Sequence, residues 1–160
     1  MLGDAGQRGD LRLVSPAFAD GGRIPERYGH DAANVNPPLS IRNVPAGASS
    51  LTLVMDDPDA VEPAGTVWLH WLVWNLPPAT TRIQVGWDPT AVGAVEGTND
   101  FGTRGYGGPA PPDREHSYRF KLYALDATLD LPRSASERAV GRAMRGHLLA
   151  RTQLTGTYAP

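Results

Sequence analysis

The sequence predicts a mostly β domain with peripheral α-structure, and three observations carry that expectation. First, 18 glycines and 15 prolines stand among 160 residues, more than long helices tolerate. Second, short apolar or alternating runs recur between Gly, Pro, Asn and Asp clusters, as strands do between turns. Third, a single stretch near the C-terminus combines a helix-start signal with helical spacing. The length is that of one domain. Residues 1–10, which carry Asp4, Arg8 and Asp10 and no apolar run, read as a flexible tail, and 11–160 as the domain.

Each element has its own signal. Leu11 to Ser15 alternates briefly and predicts a short strand; residues 19–38, rich in Gly, Asn, Asp and Pro, predict a long loop; Leu39-Ser40-Ile41 predicts another short strand. Leu51 to Met55 is a clearer strand, ended before Pro58 because proline lacks the ladder N–H. Val67 to Leu76 is apolar on both faces and stopped by Pro77-Pro78, which predicts a strand buried on both sides. From Ser117 to Ala124 the alternation is clean, with Tyr118, Phe120, Leu122 and Ala124 assigned to the core and Ser117, Arg119, Lys121 and Tyr123 to solvent. Ser134-Ala135-Ser136-Glu137 has the capping-box pattern, and Val140, Ala143, Met144, His147 and Leu148 follow at helical spacing, predicting a helix over about 135–150. Leu154 to Tyr158 returns as a strand.

Composition excludes several classes. Fifteen basic against 17 acidic residues leave a formal charge of −2, so a basic nucleic-acid face is not expected. The absence of cysteine removes disulfides, thiolate metal sites and thiol catalysis. No run reaches about 18 apolar residues, so no membrane insertion is expected. The first ten residues do not read as a secretory signal, which makes a cytoplasmic protein the simplest expectation. No Walker-A loop, G-x-S-x-G elbow or H-E-x-x-H helix is present, and no cofactor or metal is expected.

Polar groups with chemical potential sit in three segments: Asp56-Asp57-Pro58-Asp59-Ala60 at a strand end, Trp68-Leu69-His70-Trp71 inside the buried strand, and Gly105 to Pro112 followed by His116-Ser117-Tyr118. Alternation places His70 on a face with Trp68, Leu72 and Trp74, and His116 and Tyr118 with Phe120 and Leu122. Polar groups so buried need partners, at roughly 1–3 kcal/mol each if unpaired. Taken singly, each has a plain structural reading: a satisfied core histidine, an Asx turn at Asp57, a Gly-Pro loop, an exposed His30, a packing His147.

In order, however, the segments D-P-D-A (Asp57 to Ala60), W-x-H (Trp68, His70), N-x-P-P (Asn75 to Pro78), G-Y-G-G-P-x-P-P (Gly105 to Pro112) and H-x-Y-x-F-x-L-Y-A-L-D (from His116) resemble the phosphatidylethanolamine-binding protein family, also called Raf kinase inhibitor-like proteins. Ser15 to Gly22, Asn36 to Ser40 and Leu154 to Tyr158 look like its bacterial branch. The resemblance implies a large central β-sheet packed on a smaller one, and a small anion pocket at one sheet edge. Carried over by motif, the pocket residues are Asp57, His70, Gly108, Pro111, Pro112, His116 and Tyr118, with Trp68 lining the mouth. Val61 stands where the family usually has proline after D-P-D-A, and Ala110 where bacterial members often have cysteine.

The expected ligand is a small anion: phosphate, phosphoethanolamine or a carboxylate-like group. Asp57 is expected to hold one nitrogen of His70 and keep it protonated, with His116, the Tyr118 hydroxyl and backbone N–H groups around Gly108 as further donors. Two other classes are weighed. One is an interaction module that inhibits a kinase or protease partner; the other is a hydrolase or metal-dependent enzyme built on Asp57, His70 and His116. Bacterial relatives point to a homodimer, although the sequence shows no interface signature.

Overall fold

A computed structural model describes residues 2–160. Two sheets form its frame. The strands in chain order are β1 (Arg12–Val14), β2 (Gly22–Arg23), β3 (Leu39–Arg42), β4 (Ser50–Asp57), β5 (Trp68–Leu76), β6 (Arg82–Ile83), β7 (Val95–Glu96), β8 (His116–Leu125) and β9 (Leu148–Tyr158). The large sheet runs β2-β9-β8-β4-β5-β7 and the small one β1-β3-β6. All pairings are antiparallel except β2 with β9. The helices are a single turn, α1 (Val61–Ala64), and α2 (Glu137–Met144), with short 3-10 turns at Glu26–Tyr28, Pro58–Ala60 and Pro89–Val92.

The large sheet is buried on both faces. Leu53 and Met55 of β4 and Phe120 and Leu122 of β8 pack with Leu13, Ile41 and Ile83 of the small sheet. On the opposite face Val54, Leu72, Trp74 and Tyr123 lie with Val140 and Met144 of α2 and with Ala5. The mostly β class, the two packed sheets and the outer helix are therefore as expected. The face assigned to solvent on β8 is not: Lys121 and Tyr123 are buried. The N-terminal segment covers them. Lys121 Nζ donates to the carbonyls of Leu2 and Gly3 and to Asp56, Ala5 N–H donates to Gln153, and Arg8 bridges to Arg151. Residues read as a tail thus touch the sheet.

The C-terminal helix is shorter than expected. Its cap is Ser136, whose hydroxyl accepts from Ala139 N–H, rather than Ser134. It ends at Met144 because a turn through Gly146 (φ 81°) leads directly into β9, whose Leu148 pairs with Leu125. His147 is therefore off the helix, with Nδ1 on Asp126 at 2.8 Å.

One irregularity positions the site. β5 pairs Met55 with Trp71 but Asp56 with Leu69, leaving His70 as an extra residue, a β-bulge. Beyond it the alternation changes sense. His70 therefore faces Tyr118, ring centroids 5.2 Å apart, while Leu72 and Trp74 turn to the opposite face.

Candidate functional site

Asp57 ends β4, where Pro58 stops the strand and starts a 3-10 turn. One carboxylate oxygen accepts from Asp59 N–H at 2.9 Å, the Asx turn expected from sequence. The other does not reach His70. It meets Nδ1 of His116 at 2.6 Å, and the second nitrogen of His116, Nε2, meets Asp113 Oδ1 at 2.7 Å. His116 therefore stands between two carboxylates. Burial alone would lower its pKa, but the hydrogen bonds to Asp57 and Asp113 outweigh that and hold the imidazole above its ordinary value. Burial likewise pushes the Asp57 carboxyl up, against the pull of His116.

The partner expected for His70 is corrected. Its Nδ1 lies 2.6 Å from the Gly107 carbonyl, which can only accept, so Nδ1 carries the proton. Burial brings the His70 pKa down to about 4. The ring is thus neutral near pH 7 with Nε2 as a free acceptor, the opposite of the imidazolium expected. Tyr118 is fully buried, and its hydroxyl, near Asp57 and the Ala110 backbone, makes no hydrogen bond of good geometry. Burial, then the Asp57 charge, pushes its phenol well above the ordinary value.

The Gly-Pro loop is fastened to its surroundings. Gly107 N–H donates to the His70 carbonyl, His30 N–H to the Pro109 carbonyl, and the Tyr106 hydroxyl to the Tyr28 carbonyl. Gly108 N–H donates to Asn34 Oδ1 at 2.8 Å, so it is not the free donor expected. Glycine is required there by contact, since a Cβ would lie 2.2 Å from the Tyr28 carbonyl oxygen.

These elements enclose a cavity of about 180 Å³ whose polar wall is Asp57, His70 and His116. Its apolar wall is Trp68, Phe101, Ala110 and Pro112, with Ala60, Pro63 and Ala64 at the α1 side. Five of the eight residues carried over by motif thus line one space. Tyr118 stands behind His70, Gly108 braces the loop, and Pro111 lines a separate, larger hollow on the loop's other side. Among the described residues no group of three or more His, Asp or Glu side chains is arranged to hold a metal ion; both nitrogens of His116 and Nδ1 of His70 contact protein oxygens.

Two site residues had no usable sequence signal. Phe101 packs edge-on against Trp68 and His70, centroids 5.5 and 5.4 Å away, and stacks on His30 at 4.1 Å. His30 is accordingly half-buried, not exposed. Phe101 lies in an irregular stretch without periodicity, placed by Asn99, whose side chain ties Phe101 N–H, Thr103 and the Gly105 carbonyl. An Asn within a Gly-rich turn was the one available hint. Asp113, after Pro112, reads as an ordinary loop carboxylate.

Fold and site together define a class: two-sheet β proteins with a small histidine–carboxylate cavity at the end of the central strands. The comparisons with known proteins supply the family. Residues 14–159 match the model of the phosphatidylethanolamine-binding protein family, and the chain belongs to that family. A UPF0098 protein of Methanothermobacter thermautotrophicus is 47% identical over 153 residues, covering 92% of this chain and 98% of the relative. One from Chlamydia muridarum is 39% identical over 152 residues, with the same coverage. Among solved structures, the phosphatidylethanolamine-binding protein homolog CT736 of Chlamydia trachomatis superposes with a TM-score of 0.86 at 38% identity, covering 92% of this chain and 96% of that one. YbcL of E. coli gives 0.84 at 30% identity, covering 94% and 98%.

Proposed function

We propose that the cavity binds a small anionic group of the phosphate type, as the resemblance implied, through a different division of labour among its histidines. The observation that carries this reading is His116, buried at the cavity wall with each ring nitrogen on a carboxylate oxygen, contacts that raise its pKa and favour the protonated ring. Its Nε2–H, held by the partly exposed Asp113 carboxylate, is the charge-assisted donor we assign to a ligand oxygen. The neutral His70 turns a lone pair to the same space, so the best ligand brings its own proton, as a phosphomonoester monoanion does. At about 180 Å³ the cavity is well below the roughly 300–1,000 Å³ of drug-sized sites. It fits a headgroup-sized anion. Trp68, Phe101 and Pro112 exclude water and strengthen each polar contact.

Two or three charge-assisted bonds of about 1.5–3 kcal/mol each, less the cost of association, correspond to affinities of about micromolar to millimolar. The first prediction is that inorganic phosphate and phosphoethanolamine bind in that range by calorimetry. Binding weakens as pH rises, because the ligand and His116, whose pKa is raised, both lose their protons. His70→Ala abolishes the binding. No heat at either acidic or alkaline pH, or equal affinity at both, contradicts the proposal. A regulatory or inhibitory role then follows if the bound group belongs to a partner, which a pull-down lost on His70→Ala would show.

A further inference from the structure

We infer that Asp113 is an internal competitor for the pocket: its carboxylate occupies the nitrogen of His116 that an incoming anion needs, and so sets how tightly the site binds. This rests on the anion-pocket reading and concerns its regulation.

The two carboxylates on His116 are not equivalent. Asp57 is 5% exposed at the side chain, ends a central strand, and is fixed by a second bond from Asp59 N–H. Asp113 is 38% exposed, lies on the loop between Pro112 and β8, and has His116 as its side-chain partner, with local backbone N–H groups of Asp113 and Arg114 as its other support. The inner pair is sealed, whereas the outer pair can open to solvent. His116 itself is 1% exposed, so its outward N–H cannot exchange Asp113 for bulk water in place. It needs another acceptor, and the cavity is where one enters.

The neighbouring residue fastens the same stretch to the opposite rim. Arg114 lies 3.4 Å from Glu62 of α1 and 3.9 Å from Asp59. Asp113 and Arg114 thus form a strap across the space between β8 and the Pro58–Ala64 turns. The Arg114 contacts are solvent-exposed and individually weak, so the strap yields without disturbing the sheet.

Charge decides what can displace it. His116 as a cation is flanked by Asp57 and Asp113, with Asp59, Glu62 and Arg114 nearby and His70 neutral. Adding an anion to this set raises its net negative charge, whereas exchanging it for Asp113 leaves the charge around His116 unchanged. A protonated phosphate wins the exchange because it reaches both His116 Nε2 and the free acceptor of His70, whereas the Asp113 carboxylate holds only the first.

The test is calorimetric titration of inorganic phosphate into wild type, Asp113→Ala, Asp113→Asn and His70→Ala near neutral pH. Asp113→Ala is expected to bind about tenfold tighter than wild type, with Asp113→Asn between them because a neutral amide oxygen competes more weakly. Tighter binding by Asp113→Ala where wild type shows none supports the same conclusion. If wild type binds and His70→Ala does not, yet both Asp113 variants bind no tighter than wild type, the competitor role is overturned while the pocket stands. If no protein binds, or wild type binds and His70→Ala binds as tightly, the pocket reading fails and the competitor role with it.

Discussion

His70 is 2% exposed and sits in a bulge of the buried strand β5, with one nitrogen on a carbonyl and the ring lining the cavity. Its pKa of about 4 against the ordinary 6.5 makes folding sensitive to acid. Unfolded chains take up this proton near pH 6.5 and folded ones only near pH 4. The stability from neutral burial is complete above pH 6.5 and is lost as pH falls toward 4, by up to about 3 kcal/mol. His116 has the opposite sign: its raised pKa gives stability that is complete below the ordinary value and lost as pH rises through the raised one. Urea midpoints at pH 7 and pH 4.5 check the first effect. Wild type is expected to lose stability across that interval and His70→Asn to lose distinctly less; parallel losses contradict the assignment. Asp57, His70 and His116 were all legible as polar groups in apolar strands. Their partners were not, because alternation cannot register a bulge, and the Asp113 contact depends on how a three-residue loop closes onto β8.

At the scale of elements, strands were readable and their ends were not. Pro58 and Pro77 mark the stops of β4 and β5 because proline cannot continue a ladder. The end of α2 carried no such mark: Val140, Met144, His147 and Leu148 keep helical spacing, but pairing with β8 claims the chain from Leu148 onward. Tertiary pairing overrides local periodicity there. The Gly105–Pro112 loop looked like a turn or a phosphate cradle, and the structure makes it a brace whose Gly105, Gly107 and Gly108 N–H groups are used internally. A Gly108→Ala substitution drives a Cβ against the Tyr28 carbonyl. It is expected to cost about 1–3 kcal/mol and to weaken phosphate binding, since the loop carries Ala110 and Pro112. Unchanged denaturation midpoint and affinity would show that the brace is dispensable.

At the scale of the molecule, a large sheet covered on both sides explains why apolar residues occupy both faces of β4 and β5, and why the solvent face assigned to β8 failed. The protein's one lysine, Lys121, is buried with Asp56, which also takes two bonds from Arg119. Burial lowers the Lys121 pKa, with Asp56 opposing. Replacing Asp56 by Ala leaves an unpaired buried ammonium beneath the N-terminal segment, at an expected cost of about 3–5 kcal/mol in denaturant unfolding; a loss under about 1 kcal/mol would show the triad to be solvated. No helix among the described residues is long and apolar enough to cross a membrane, and the small histidine–carboxylate cavity lies at the end of the central strands β4, β5 and β8. The most direct measurement of what that cavity does is the structure of a crystal soaked in phosphate. The account predicts a phosphate between Nε2 of His70 and Nε2 of His116, with the Asp113 side chain swung away. A cavity without phosphate and with Asp113 still on His116, or phosphate bound only elsewhere, would contradict it.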